Sequence, residues 1–131
     1  MSGNSGTSDG LTSVPADEAM VVTKAVGRLA ERFGIQDSQL SGILGLSEAT
    51  ISRLHHGQYQ LDCQGEPFER ALLLIRLMRS VEGICGQDPK VATTWLTSEN
   101  PPLGGRPIDL IQTVDGLRRA VLYMDAQRRL L

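Results

Sequence analysis

The side chains best suited to catalysis or metal binding are few in this chain, and they are not arranged as a site. The 131 residues include two histidines, His55 and His56, and two cysteines, Cys63 and Cys85. Glutamine and tyrosine occupy the positions three and four residues after each histidine, where a helical metal site would need its second ligand. Neither a glycine-rich phosphate loop nor a nucleophile beside a base occurs. We therefore expect no catalytic residue, no metal and no cofactor.

A second group of side chains has the types that contact DNA. Arg53 can make a paired contact to guanine, or a contact to a phosphate. Glu48 can accept a hydrogen bond from a cytosine amino group, and Ala49 or Thr50 can meet a thymine methyl group. Gln39 can contact a phosphate. His55 and His56 are polar residues expected at the end of a helix next to DNA. The predicted DNA-binding residues are Gln39, Ser47, Glu48, Ala49, Thr50, Ser52, Arg53, His55 and His56.

The spacing within residues 37–57 predicts a helix-turn-helix that would present these side chains. Gly45 stands at the turn, where a positive φ is required that glycine adopts at little cost. Ser47 can cap the second helix, and Ile51 and Leu54 then fall on its inner face. The N-terminal residues of such a helix reach base edges in the major groove. The alternative is a pair of unrelated short helices within a helical bundle.

The charge of the chain is unusual for a DNA-binding protein. Its formal net charge is −2, and residues 28–58 contain three arginines against three acidic residues. Binding to phosphates normally requires a basic surface. We therefore expect a single copy to bind DNA weakly and a dimer or larger assembly to be the binding form.

Helical periodicity continues outside the motif, with a first helix over residues 16–33. A second helix over residues 66–84 is apolar nearly all round, which indicates either a central core helix or one side of a dimer interface. Shorter helices are predicted over residues 91–96 and 107–111, and a last one follows Thr113. Because no segment alternates as a strand does, the fold is predicted to be all-α.

Three regions follow from this pattern. Residues 1–14 are rich in serine, glycine and threonine and are expected to form a disordered tail. Residues 15–65 form the helix-turn-helix region, and residues 66–131 form a helical C-terminal domain packed with it. No apolar run is long enough to span a membrane, and no secretory signal is present. We therefore expect a cytoplasmic protein with two free thiols.

The segment between the fifth and sixth helices is too specific for an ordinary loop. Residues 97–106 read TSENPPLGGR, and the two prolines and two glycines specify a rigid turn. Trp95 and Leu103 are placed to anchor this turn to the core. Physical reasoning alone does not assign it a function.

A family resemblance suggests one. Trp95-Leu96, Asn100-Pro101 and residues 103–111 (LGGRPIDLI) resemble the signature of the Xre/MbcA/ParS antitoxin toxin-binding domain. Residues 45–54 (GLSEATISRL) resemble the Xre-type helix-turn-helix that precedes this domain. The two matches occur in the family's order and extend over roughly residues 29–131.

The resemblance implies an antitoxin of a type II toxin–antitoxin system. Its partner would be a RES-domain toxin that consumes NAD or transfers ADP-ribose from it, and the antitoxin would block the NAD pocket. A homodimer within a larger complex would bind operator DNA and repress its own operon. The predicted toxin-binding residues are Trp95, Asn100, Leu103, Arg106, Arg128, Arg129, Leu130 and Leu131.

Other interpretations of the sequence remain open at this stage. Arg128 and Arg129 either belong to a solvated helix face or contact acidic groups of the partner, with the two following leucines as apolar anchors. The main alternative function is a stand-alone helix-turn-helix transcriptional regulator. The third possibility is an enzyme. We expect a screen for NAD turnover by the isolated chain to be negative.

Overall fold

Seven α-helices form the protein, as described by a computed structural model that covers the backbone of residues 4–130 and the side chains of residues 17–130. The helices are α1 (Asn4–Arg32), α2 (Asp37–Leu44), α3 (Glu48–His55), α4 (Glu66–Cys85), α5 (Pro89–Thr97), α6 (Pro107–Leu110) and α7 (Val114–Arg129). The only extended pairing within residues 4–130 is an isolated bridge between Asn100 and Gly105. The all-α fold predicted from the sequence is confirmed.

Local sequence signals account for most helix ends. Gly34 adopts φ +69° just after α1, which permits the chain to turn there. The Asp88 carboxylate accepts a hydrogen bond from the Lys90 N–H at 3.0 Å, at the start of α5. The Thr113 hydroxyl oxygen accepts one from the Gly116 N–H at 3.1 Å, at the start of α7. The predicted boundaries of α4 to α7 therefore agree with the structure to within two residues.

The N-terminal end of α1 differs from the sequence expectation. The backbone of this helix begins at Asn4, whereas the periodicity of the sequence starts near residue 16. Side chains are described only from Asp17 onward, so the predicted tail over residues 1–14 lies outside the fully described residues and stays a prediction.

Helix α4 lies at the centre of the fold. It packs against α1, α2, α5 and α7. Its buried apolar side chains belong to one hydrophobic cluster that runs through both halves of the chain. The buried residues of α4 are Phe68, Ala71, Leu74, Leu77, Met78, Ser80 and Val81. The prediction of a central helix is confirmed, although Leu72 remains 41% exposed.

Two glycines permit close contact around the short helix α6. A Cβ atom added to Gly42 of α2 would lie 2.7 Å from the Gln112 side-chain oxygen, so α2 and the α6–α7 turn are in direct contact. A Cβ atom added to Gly116 would lie 1.9 Å from the Leu110 carbonyl oxygen. The α6–α7 turn therefore packs tightly against both the helix-turn-helix and α7.

A polar cluster joins α4 to α7. Asp125 accepts a hydrogen bond from the Ser80 hydroxyl at 2.8 Å and forms an ion pair with Arg76. Partial burial is the largest influence on the pKa of Asp125 and raises it. The Ser80 hydrogen bond and the Arg76 charge together outweigh burial, so the pKa lies below the usual aspartate value. The structure therefore favours the ionised form of this carboxyl group.

This cluster predicts a specific acid sensitivity. A carboxyl group whose pKa is lowered on folding stabilises the protein above its unfolded pKa of about 3.9, and that contribution disappears as the pH falls through the folded value. We expect Asp125→Asn to cost about 1 kcal/mol at pH 7. The variant should also lose less stability than the wild type as the pH falls below about 5. Urea unfolding across this range measures both effects, and equal pH slopes would contradict the assignment.

Candidate DNA-binding and toxin-binding sites

The turn between α2 and α3 has the geometry of a helix-turn-helix. Gly45 adopts φ +74°, and its N–H donates to the Ser41 carbonyl oxygen at 2.8 Å. The Ser47 hydroxyl oxygen accepts a hydrogen bond from the Thr50 N–H at 3.1 Å, which caps α3. Ile51 and Leu54 are buried beneath the helix. The two helices are therefore joined by the tight, capped turn that a helix-turn-helix requires.

The opposite face of α3 is open to solvent. Glu48, Ala49 and Arg53 are exposed there, and Ser47 lies exposed at the N-terminal end of the helix. Thr50 is half-buried, and its hydroxyl group lies 2.9 Å from that of Ser47. These five predicted residues lie on or next to one surface, as base reading by a recognition helix requires.

An aromatic side chain that the sequence did not indicate lies next to Arg53. The Arg53 guanidinium carbon is 5.7 Å from the centroid of the Tyr59 ring, within the range of a cation–π contact. The loop that carries Tyr59 is fixed by Leu61, which is buried and whose N–H donates to the Thr23 hydroxyl oxygen at 3.0 Å. The Tyr59 ring therefore holds Arg53 near the exposed face of α3. Spacing patterns carry no signal for this contact.

The structure places His55 beside carboxylates of α1 and α2, and its predicted contact with DNA stays a prediction. Its Nδ1 lies 3.4 Å from the Glu31 carboxylate of α1, and its Nε2 lies 3.3 Å from the Asp37 carboxylate of α2. The side chain is only 16% exposed, so it joins three helices instead of facing outward. His56 stays exposed, and its Nδ1 is 2.7 Å from the Ser52 carbonyl oxygen.

The other two polar residues of the predicted set lie at the edge of this surface. The Gln39 side-chain oxygen accepts a hydrogen bond from the Gln36 N–H at 2.9 Å, which closes a capping box at the start of α2. Its amide NH₂ group is not used in this box and remains a donor. Ser52 is half-buried beside the outer face of α3.

The loop between α5 and α6 is a closed turn. The Asn100 N–H donates to the Gly105 carbonyl oxygen at 2.9 Å, and the Asn100 carbonyl oxygen accepts from the Leu103 and Gly104 N–H groups, both at 3.0 Å. Arg119 of α7 donates to the Leu103 carbonyl oxygen at 3.2 Å. The prediction of a rigid turn is confirmed, and α7 holds it in place.

Several predicted toxin-binding side chains in this region face inward. Leu103 is 4% exposed, so it anchors the loop to the core, and its predicted contact with a partner stays a prediction. Trp95 is half-buried against the core. The Asn100 Oδ1 atom is buried without a hydrogen-bond partner. Arg106 is exposed, and its Nε donates to the Asp109 carboxylate at 2.9 Å.

The C-terminal predicted residues form a second surface at the far end of α7. Arg128 lies over Gly83 of α4, and Arg129 follows it on the exposed side of the helix. Leu130 is 80% exposed, and Leu131 lies outside the described residues. Arg119, which holds the loop, and Arg128 are about 14 Å apart along the helix axis. The structure therefore does not gather the predicted toxin-binding residues into one patch.

Neither a metal site nor a membrane span emerges from the described part of the chain. No group of three or more histidine, cysteine or acidic side chains lies close enough to hold a metal ion there. No helix in that part is both long and apolar enough to cross a membrane.

Comparisons with known proteins identify two domains in the chain. Residues 13–76 match the antitoxin Xre-like helix-turn-helix domain. Residues 80–129 match the antitoxin Xre/MbcA/ParS C-terminal toxin-binding domain. No curated protein matches the chain. The two matches meet within α4, the helix that packs against both halves of the fold.

Proposed function

The chain belongs to the Xre/MbcA/ParS-type antitoxins, and we propose that it neutralises a RES-domain toxin and represses its own operon. The observation that carries this proposal is the presence of both family domains, in order, on a chain whose recognition helix is exposed. Neutralisation would occur by binding over the NAD pocket of the toxin. The antitoxin itself would perform no chemistry.

Operator binding is proposed to require a homodimer. The exposed face of α3 carries Glu48 as well as Arg53, and the net charge of the chain is −2. A single copy therefore attracts phosphates weakly. Two recognition helices on one DNA molecule would raise the effective affinity without additional charge. The operator is expected to be palindromic, with half-sites about 34 Å apart or a multiple of that distance.

Toxin binding is proposed to use both surfaces of the C-terminal domain. The rigid loop offers Arg106 at its exposed edge, and the end of α7 offers Arg128, Arg129 and Leu130. Arginine side chains suit acidic groups of a partner or the space that a pyrophosphate would fill.

Deletion of residues 128–131 is the direct test of the C-terminal surface. We expect toxin affinity to fall at least about tenfold, because charged and apolar contacts at the partner are removed together. The cut leaves Asp125 and its contacts with Ser80 and Arg76 in place, so the α4–α7 packing should be retained. Titrating the toxin with the shortened antitoxin and measuring inhibition gives the effect. Unchanged inhibition would contradict this assignment.

The experiment that tests the whole proposal is co-expression with the neighbouring open reading frame. A RES-domain protein should copurify, and it should arrest growth when expressed without the antitoxin. The alternative is a transcriptional regulator without a toxin partner. In that case the purified chain would shift a fragment of its own promoter while no neighbouring product copurified or became toxic.

A further inference from the structure

An open groove runs between α1 and α4 and ends against α7. Its floor is apolar and consists of Val21, Ala25, Leu72 and Ile75. Val21 is 60% exposed and Leu72 is 41% exposed, although both sit beside the core. From Val21 to Arg32 the groove follows α1 for about 16 Å, which equals about three helical turns.

The rim of this groove is basic. Five arginines line it, namely Arg28, Arg32, Arg76, Arg79 and Arg128. The two acidic residues on the rim already have arginine partners, because Glu82 lies 2.9 Å from Arg32 and Asp125 pairs with Arg76. Within residues 17–130, the other three arginines have no ion-pair partner. The groove therefore combines an apolar floor with uncompensated positive charge.

We propose that the α1–α4 groove binds an amphipathic helix of the toxin, with an apolar stripe facing Leu72 and Ile75 and acidic side chains facing Arg28, Arg79 and Arg128. This inference rests on the proposed function. A helix laid in a groove anchors through apolar residues spaced three and four apart, which suits a floor of this length. Acidic groups along both edges of that helix would supply the charge that the rim lacks.

The same charges argue against a second copy of this chain as the occupant. A two-fold pairing through the groove would bring two arginine-rich rims together, and like charges close to one another oppose association. The apolar floor likewise does not suit a nucleic acid backbone, which is bound by charge along its whole path. A homodimer of this antitoxin would therefore use another face.

The test compares groove variants with matched controls in the full-length antitoxin. Leu72→Asp and Arg79→Glu should each weaken binding to the purified toxin by at least about tenfold. Leu122→Asp and Arg118→Glu should change it little, since Leu122 is 66% exposed and neither residue lines the groove. Circular dichroism and promoter binding should be unchanged in all four variants. If Leu72→Asp impairs folding, Arg79→Gln decides the matter, because it removes the charge and retains a flexible polar side chain.

A photo-crosslinking side chain at position 72 identifies the occupant. Attachment to a toxin segment with acidic residues around an apolar stripe supports the proposal. Attachment to a second antitoxin copy, or loss of promoter binding instead of toxin binding in the variants, overturns it. Full toxin affinity in both groove variants would overturn the assignment of the groove as a toxin-binding site and leave the proposed function standing. Failure of the wild-type chain to bind the toxin would overturn both the proposed function and the groove assignment.

Discussion

Replacing Gly116 with alanine is expected to destabilise the protein by about 3 kcal/mol, the upper end for overpacking of a well-packed site. The new Cβ atom would lie 1.9 Å from the Leu110 carbonyl oxygen, a backbone atom that cannot rotate away. Relief would require α6 to move away from α7 and would weaken the Thr113 cap of α7. In a chain of this length the thermal midpoint should fall by about 10 °C.

Gly83→Ala is the matched control for this substitution. Its Cβ atom would meet the Arg128 side chain at 2.9 Å, and the far end of a flexible arginine can move aside. Alanine also favours the helix interior over glycine by about 1 kcal/mol, so the control should be neutral or stabilising. Thermal unfolding of both variants measures the difference. Equal midpoints would show that the α6–α7 contact is not tight.

Replacing Arg53 with alanine is expected to weaken promoter binding by about 10- to 100-fold for each recognition helix. Arg53 is the one basic side chain on the exposed face of α3, and Tyr59 holds its guanidinium group in place. Toxin binding should be kept, because α3 lies outside the domain matched at residues 80–129 and does not line the α1–α4 groove. Fluorescence anisotropy with a promoter fragment measures the loss at a stated salt concentration.

Tyr59→Phe is the control that tests whether Tyr59 acts by positioning Arg53 or by contacting DNA itself. Phenylalanine keeps an aromatic face for the guanidinium group, so promoter binding should stay close to that of the wild type. Tyr59→Ala should weaken binding, but less than Arg53→Ala does. The division of function between the two halves would be wrong if Arg53→Ala abolished neutralisation while promoter binding survived.

The parts of this fold that the sequence predicts are those set by local chemistry. Gly45 and Ser47 specify the turn and the start of α3, and Asp88 and Thr113 cap their helices through groups two or three residues away. Apolar periodicity predicted the central helix because it, too, is a pattern among residues close together in the sequence. Each of these signals acts within one or two helical turns.

The features that the sequence did not predict depend on residues far apart in the chain. The sequence does not indicate that His55 lies beside the carboxylates of α1 and α2. It likewise does not indicate how deeply Leu103 is buried where the loop folds over the core. Gly116 shows no turn signal, because its role arises only where the end of α6 meets α7. Such contacts depend on how the helices pack together, and the apolar periodicity of the sequence does not describe that packing.

The position of α4 has a consequence for turnover of the protein. Its buried apolar side chains belong to a hydrophobic cluster that includes both halves, so removal of either half by a protease would expose part of the core of the other. A chain with one core is expected to unfold in a single cooperative step. Under the proposed function, degradation would then release the toxin and relieve repression at the same moment. Resynthesis of the antitoxin would begin as soon as the existing antitoxin was lost.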